Sequence, residues 1–165
     1  MAKIAPPDIH YLNAAQGWLG LGNSAEARAE MKRLSRPVLK HPEALETQYQ
    51  IFALEKNWEA ALAVAQLIVE VSPKNVTGFI NRSFSLHELK RTQEAWDQLL
   101  PVTEMFPRNN IIAYNLACYA CQLGRNDEAL KWLLKAMDLG GKKTIQEMAL
   151  SDPDLKPMWG QIRKL

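Results

Sequence analysis

Apolar positions along this chain recur at helical spacing and never alternate over a strand length, so the pattern predicts helices and essentially no sheet. Short polar stretches interrupt the apolar runs at regular intervals: "LGNS", "EKN", "KRT" and "GRND". Each reads as a tight turn joining two helices. Pro73 and Pro107 close the second helix of their pairs, because proline cannot continue one. Pro101 falls inside a predicted helix over 93–105, in "DQLLPVTEMF". An interior proline removes a backbone hydrogen bond and costs about 3 kcal/mol, so a bend or break is expected there.

The helices repeat. The stretches "SAEARAEM", "WEAALAVA", "TQEAWDQL" and "NDEALKWL" align on Ala27, Ala61, Ala95 and Ala129, each 34 residues after the last. Neighbouring columns agree: Met31, Ala65, Leu99 and Leu133 follow by four, and Trp18, Phe52, Leu86 and Ala120 precede by nine. A small residue in the alanine column lets two helix backbones approach. A large one is expected to overpack the pair. The pattern resembles the tetratricopeptide repeat, with "YNLACYACQLGRNDEALKWLLKAMDLG" its best single match. The resemblance implies an all-α right-handed superhelix, an α-solenoid of four helix pairs over 8–41, 42–75, 76–109 and 110–143 in a single domain. Tyr49 stands where the family usually has a small residue, so looser packing is expected in the second repeat.

Residues 144–165 read as a C-terminal helical cap. Ile145, Met148 and Ala149 form one apolar stripe, and Leu155, Met158, Trp159 and Ile162 another. Between them Asp152 precedes Pro153 as a helix N-cap. A solenoid cannot leave its last apolar face in water, so a packed cap is expected; the alternative role is a segment that covers the binding surface.

Composition adds bounds rather than a function. The 165 residues carry 20 Lys and Arg against 18 Asp and Glu, a net charge of +2, which does not by itself argue for nucleic acid or an anionic membrane. No stretch supplies the roughly 20 consecutive apolar residues of a membrane helix, and the N-terminus does not read as a secretory signal. A cytoplasmic protein is the expectation. Arg28, Lys32, Arg36 and Lys40 would share one helical face if the helix survived Pro37; with no aromatic residues interleaved, a solvated outer face is expected.

Candidate chemistry is sparse. Cys118 and Cys121 have the spacing of a redox pair or half a zinc site. They lie about two turns inside a helix, away from the dipole that would activate a thiol, and no second ligand pair accompanies them. Packed or groove-lining thiols are expected, with no metal, no cofactor and no catalysis. "GGKKT" at Gly140–Thr144 fails the spacing of a phosphate loop and reads as a helix C-cap.

The family resemblance implies a concave groove lined by the first helix of each pair. Carried over by position, its residues are Leu12, Asn13, Gln16 and Leu19, then Glu46, Gln50 and Ala53. They continue with Ile80, Asn81, Phe84 and His87, then Tyr114, Asn115, Cys118, Cys121 and Gln122. Asn13, Asn81 and Asn115 are equivalent amides, able to donate to and accept from a peptide backbone or to bond neighbouring helices. The cationic clamp that grips the acidic tails of heat-shock chaperones is missing, since Leu12, Thr77 and Asn81 occupy its places. That partner class is therefore not expected. The expected function is a non-catalytic protein-interaction module, a scaffold or adaptor holding an unidentified protein or peptide. The alternative is a small chaperone for secreted or assembling proteins.

Overall fold

The computed structural model describes residues 3–165, and among them there are helices and turns but no strands. The helices are α1 (Asp8–Gly20), α2 (Ser24–Met31), α3 (Pro42–Leu54), α4 (Trp58–Val71), α5 (Val76–Glu88) and α6 (Thr92–Leu99). They continue with α7 (Val102–Met105), α8 (Asn110–Gln122), α9 (Asn126–Gly140), α10 (Lys142–Ser151) and α11 (Trp159–Ile162). First helices begin at 8, 42, 76 and 110, which is the sequence period. The chain divides into two compact units at Ser85–Leu86, within α5.

The turn between paired helices is the same device four times. Gly22, Lys56, Lys90 and Gly124, each 34 residues after the last, all have φ between 55° and 75°. Each turn closes with two backbone bonds: Gly22 N–H to Leu19 O (2.9 Å) and Asn23 N–H to Trp18 O (2.9 Å) in the first. Lys56 to Ala53 (3.0 Å) and Asn57 to Phe52 (2.9 Å) repeat it, as do Lys90 to His87 (2.8 Å) and Arg91 to Leu86 (2.9 Å). Gly124 to Cys121 (3.0 Å) and Arg125 to Ala120 (2.8 Å) complete the set. These are Schellman closures, which satisfy carbonyls at a helix end through one left-handed residue. Glycine adopts that conformation freely and lysine does not. Lys56→Gly is therefore expected to stabilise the protein by about 0.5–1 kcal/mol, and Gly22→Lys to destabilise it similarly. Urea denaturation of the two variants reads the opposite signs.

Packing follows the repeat columns. Ala27, Ala61, Ala95 and Ala129 have no exposed surface. In the first unit, Leu12, Ala15, Ala27, Met31, Leu34 and Ile51 form one apolar cluster, and Leu45, Tyr49, Ala61, Val64, Ala65 and Ile68 another. Tyr49 is not loosely held: it is buried, its hydroxyl donates to Asn81 O (3.2 Å), and it accepts from the Ser85 hydroxyl (3.4 Å). Its bulk is matched by the small, buried Ser85 on the facing helix. Leu12, placed in the groove by position, lies instead in the first apolar cluster with no exposed surface.

Two departures from regular helix have local causes. The second helix of the third repeat breaks into α6 and α7 at Pro101. There Thr103 N–H bonds Leu100 O (3.2 Å) and Glu104 N–H bonds Pro101 O (3.2 Å), the tighter i to i+3 pattern. In the first repeat, α2 ends at Met31, so Arg28, Lys32, Arg36 and Lys40 do not share a helical face. The chain turns because Leu34 is buried and because Asp8 accepts from the Ser35 N–H (2.7 Å) and hydroxyl (2.8 Å). Arg28 instead pairs with Glu55 and lies 5.1 Å from the Phe52 ring, while Arg33 sits 3.9 Å over Tyr11.

Candidate functional site

In the first unit the predicted first-helix face is open. Asn13, Gln16 and Gln50 are exposed, and Ile80 and Asn81 are half-buried. Phe84 is 38% exposed and stacks edge-on against Trp58, with ring centroids 5.6 Å apart. Gln16 donates to the Thr47 hydroxyl (3.2 Å), linking α1 to α3 across this face. Thr47 is held in turn by its own bond to Glu43 O (2.8 Å). The face thus offers an aromatic platform and amides set at consecutive repeat positions. These residue types can stack on a side chain and bond an extended backbone.

In the second unit the corresponding residues are covered. After α9, Gly141 (φ +89°) turns the chain into α10, and Ile145 and Ala149 bury one stripe while Met148 stays partly exposed. Residues 153–158 then form a 3-10 helix that packs on α8. The expected α-helix is confined to α11, because Pro157 has no N–H to bond back to Pro153. Leu155, Met158 and Ile162 are buried, and the Trp159 indole donates to Ala149 O (2.9 Å).

The seat of this segment is polar as well as apolar. The Tyr114 hydroxyl donates to Asp152 Oδ2 (2.8 Å), and the Cys118 thiol donates to the same oxygen at 3.5 Å. The other Asp152 oxygen caps the 3-10 helix by accepting from Asp154 N–H (2.9 Å). His87 Nε2 meets Asp154 Oδ2 at 2.9 Å while its Nδ1 lies 3.0 Å from the Thr92 hydroxyl, and the ring stacks on Tyr119 with centroids 5.0 Å apart. Gln122 Nε2 donates to the Asp154 carbonyl (2.6 Å). His87, Tyr114, Cys118 and Cys121 are all buried, Asn115 is half-buried, and Gln122 is exposed but engaged.

Electrostatics decide the state of these groups. Burial, reinforced by Cys118 and Asp152, pushes the Tyr114 phenol far above its ordinary value, so it remains a donor. Burial first, then Asp152, pushes the Cys118 thiol well up, and burial with Asp154 raises Cys121. A reactive cysteine needs the opposite shift, so these thiols are neutral donors and packing groups. The hydrogen bond from His87 holds the Asp154 carboxyl below the usual carboxylate range.

Two features escaped the sequence reading. Asp152 read only as a cap residue and Asp154 carried no signal, because their partners lie 38 and 67 positions away. An apolar hollow of about 240 Å³ opens beside α2 and α3, lined by Arg28, Met31, Leu39, Ile51 and Phe52. It exists because α2 ends early, which no periodicity signals. No group of three or more metal-binding side chains comes together among the described residues.

No family model and no curated relative matches the sequence. By structure the chain is similar to PilF of Pseudomonas aeruginosa, with a TM-score of 0.75 and 19% identity over 95% of this chain and 69% of that one. It is similar to YrrB, a tetratricopeptide protein with an unusual peptide-binding site, with a TM-score of 0.71 and 19% identity over 84% of this chain and 72% of that one. It is also similar to TTC0263, a thermophilic tetratricopeptide protein of Thermus thermophilus, with a TM-score of 0.73 and 18% identity over 96% of this chain and 100% of that one. At such identities the likeness is one of fold, and the fold is that of the tetratricopeptide repeat proteins. No helix among the described residues is long and apolar enough to cross a membrane.

Proposed function

We propose that this protein is a non-catalytic interaction module that binds a peptide or partner segment on the face of its first helices. The observation that carries the reading is the open face of the first unit, where Phe84 stands exposed against Trp58 and the amides Asn13, Gln16 and Gln50 of the preceding first helices are exposed as well. An exposed aromatic held rigid by a neighbour contributes contact area at little entropic cost, and interface energy concentrates in such residues. The likeness to a peptide-binding protein of the same fold supports the class of function. The neutral, buried state of Cys118 and Cys121 supports a binding role over thiol chemistry. The apolar and aromatic character of Ile80 and Phe84 suits an amphipathic helix or an extended apolar segment.

The test is affinity selection of a displayed peptide library on the full chain, followed by titration of the selected peptide. Phe84→Ala is expected to weaken binding about tenfold or more, since aromatic anchors commonly carry above 1.4 kcal/mol. Its melting temperature should change little, because the ring is partly exposed. Selected peptides whose affinity ignores Phe84, Gln50 and Asn81 alike would place binding elsewhere.

A further inference from the structure

We propose that the α8 face of the second unit is a receptor for an acidic segment of the pattern Asp-x-Asp-Leu coiled as a 3-10 turn, and that Asp152–Leu155 is its resident occupant, which a partner segment of the same chemistry replaces. The proposal deepens the reading above by naming the ligand chemistry of one first-helix face.

The seated segment shows what the face reads. The first carboxylate takes the Tyr114 hydroxyl and the Cys118 thiol. The second takes His87 Nε2, whose other nitrogen is fixed at Thr92, and lies in the field of Lys90. Gln122 reads the backbone carbonyl between them and the next residue, and Leu155 is wholly buried. Hydrogen bonds to an ionised acceptor are shorter and stronger than neutral ones and fix geometry.

A cap alone does not call for this arrangement. Leu155, Met158 and Ile162 already bury the apolar end. A buried phenol and imidazole left without acceptors cost about 1–3 kcal/mol each, whereas apolar residues in their places would close the end without that risk. The donors come from α5 and α8 and the acceptors from the 3-10 segment that follows α10 directly, so ligand and receptor are separate elements of one chain. Because the occupant belongs to the same chain, seating it costs no translational or rotational freedom of association, which keeps the face closed until a partner segment or a weakened tail opens it. The carboxylate-reading groups are a phenol, a thiol and an imidazole, which agrees with the missing cationic clamp.

The experiment uses the full chain and a labelled peptide copying residues 151–156, Ser-Asp-Pro-Asp-Leu-Lys, with fluorescence anisotropy as the readout. Two opened chains are prepared, Asp152→Asn with Asp154→Asn, and Leu155→Ala. Alkylation of Cys118 and Cys121 reports which of them has exposed the face, and circular dichroism reports that its helices persist. The expected result is at least tenfold tighter binding to an opened chain than to the unaltered one. Binding should be lost when both peptide aspartates are asparagine, and weakened at least tenfold by His87→Ala in the opened chain. An opened, helical chain that ignores the peptide overturns the proposal, as does equal binding of the asparagine peptide. Thiols that stay protected in both variants overturn it too, since the segment is then a fixed part of the core. None of these outcomes touches the open face of the first unit, whose ligand is read through Phe84→Ala.

Discussion

Leu155→Ala is expected to cost about 2–5 kcal/mol of stability, the range for truncating a buried leucine, and to speed alkylation of Cys118 at least tenfold. Leu155 has no exposed surface and lies in the 3-10 segment that packs on α8. Removing its branch leaves a cavity under a segment that Met158, Gln122 on the Asp154 carbonyl, and the side-chain hydrogen bonds to Asp152 and Asp154 then hold without it. Cys118 is closed off by that same segment, so a looser seat admits reagent. Urea denaturation gives the first number and thiol modification under native conditions the second. The pairing of results matters. A stability loss with protected thiols would mean that the segment collapses onto the cavity. Fast modification with little loss would mean that the segment opens as a unit while the helices beneath it hold.

Ala61→Leu is expected to cost about 1–3 kcal/mol through overpacking, whereas Ala63→Leu, two residues away on α4, should stay within about 0.5 kcal/mol. Ala61 has no exposed surface and belongs to the cluster of Leu45, Tyr49 and Val64, while Ala63 faces solvent. The added side chain is the same and the helix is the same, so propensity cancels in the comparison. What differs is the space between α3 and α4. Equal effects at the two positions would refute the close approach that the repeat's alanine column requires.

Much of the architecture was legible because it is local. A helix pair of 34 residues states its turn, its alanine and its period within one short window, and four copies make the pattern unmistakable. The break at Pro101 was legible for the same reason, since the missing N–H acts within one turn. The left-handed residue of each turn shows as glycine only twice; Lys56 and Lys90 hide it, because the closing backbone bonds hold lysine there at a cost. Pro37 signalled that the second helix of the first repeat could stop early, but its end as far back as Met31 was not legible. It follows from Asp8 reaching Ser35, a contact 27 residues long that no periodicity encodes.

The candidate site divides along the same line. Position in the repeat placed Asn13, Gln16, Gln50, Ile80, Asn81, Phe84, His87, Tyr114, Asn115, Cys118, Cys121 and Gln122 alike on the first-helix faces of successive repeats. Position could not say which of these faces is open. The sequence by itself determined the helices, their pairing and the residue types each first helix presents, since all of these follow from spacing within a repeat. Only the tertiary structure decided that Asp152 and Asp154 fold back onto Tyr114, Cys118 and His87, because that contact joins residues 34 to 67 positions apart through space. A carboxylate's partner is set by where the chain returns, and the return is fixed by the burial of Leu155, Met158 and Ile162 together.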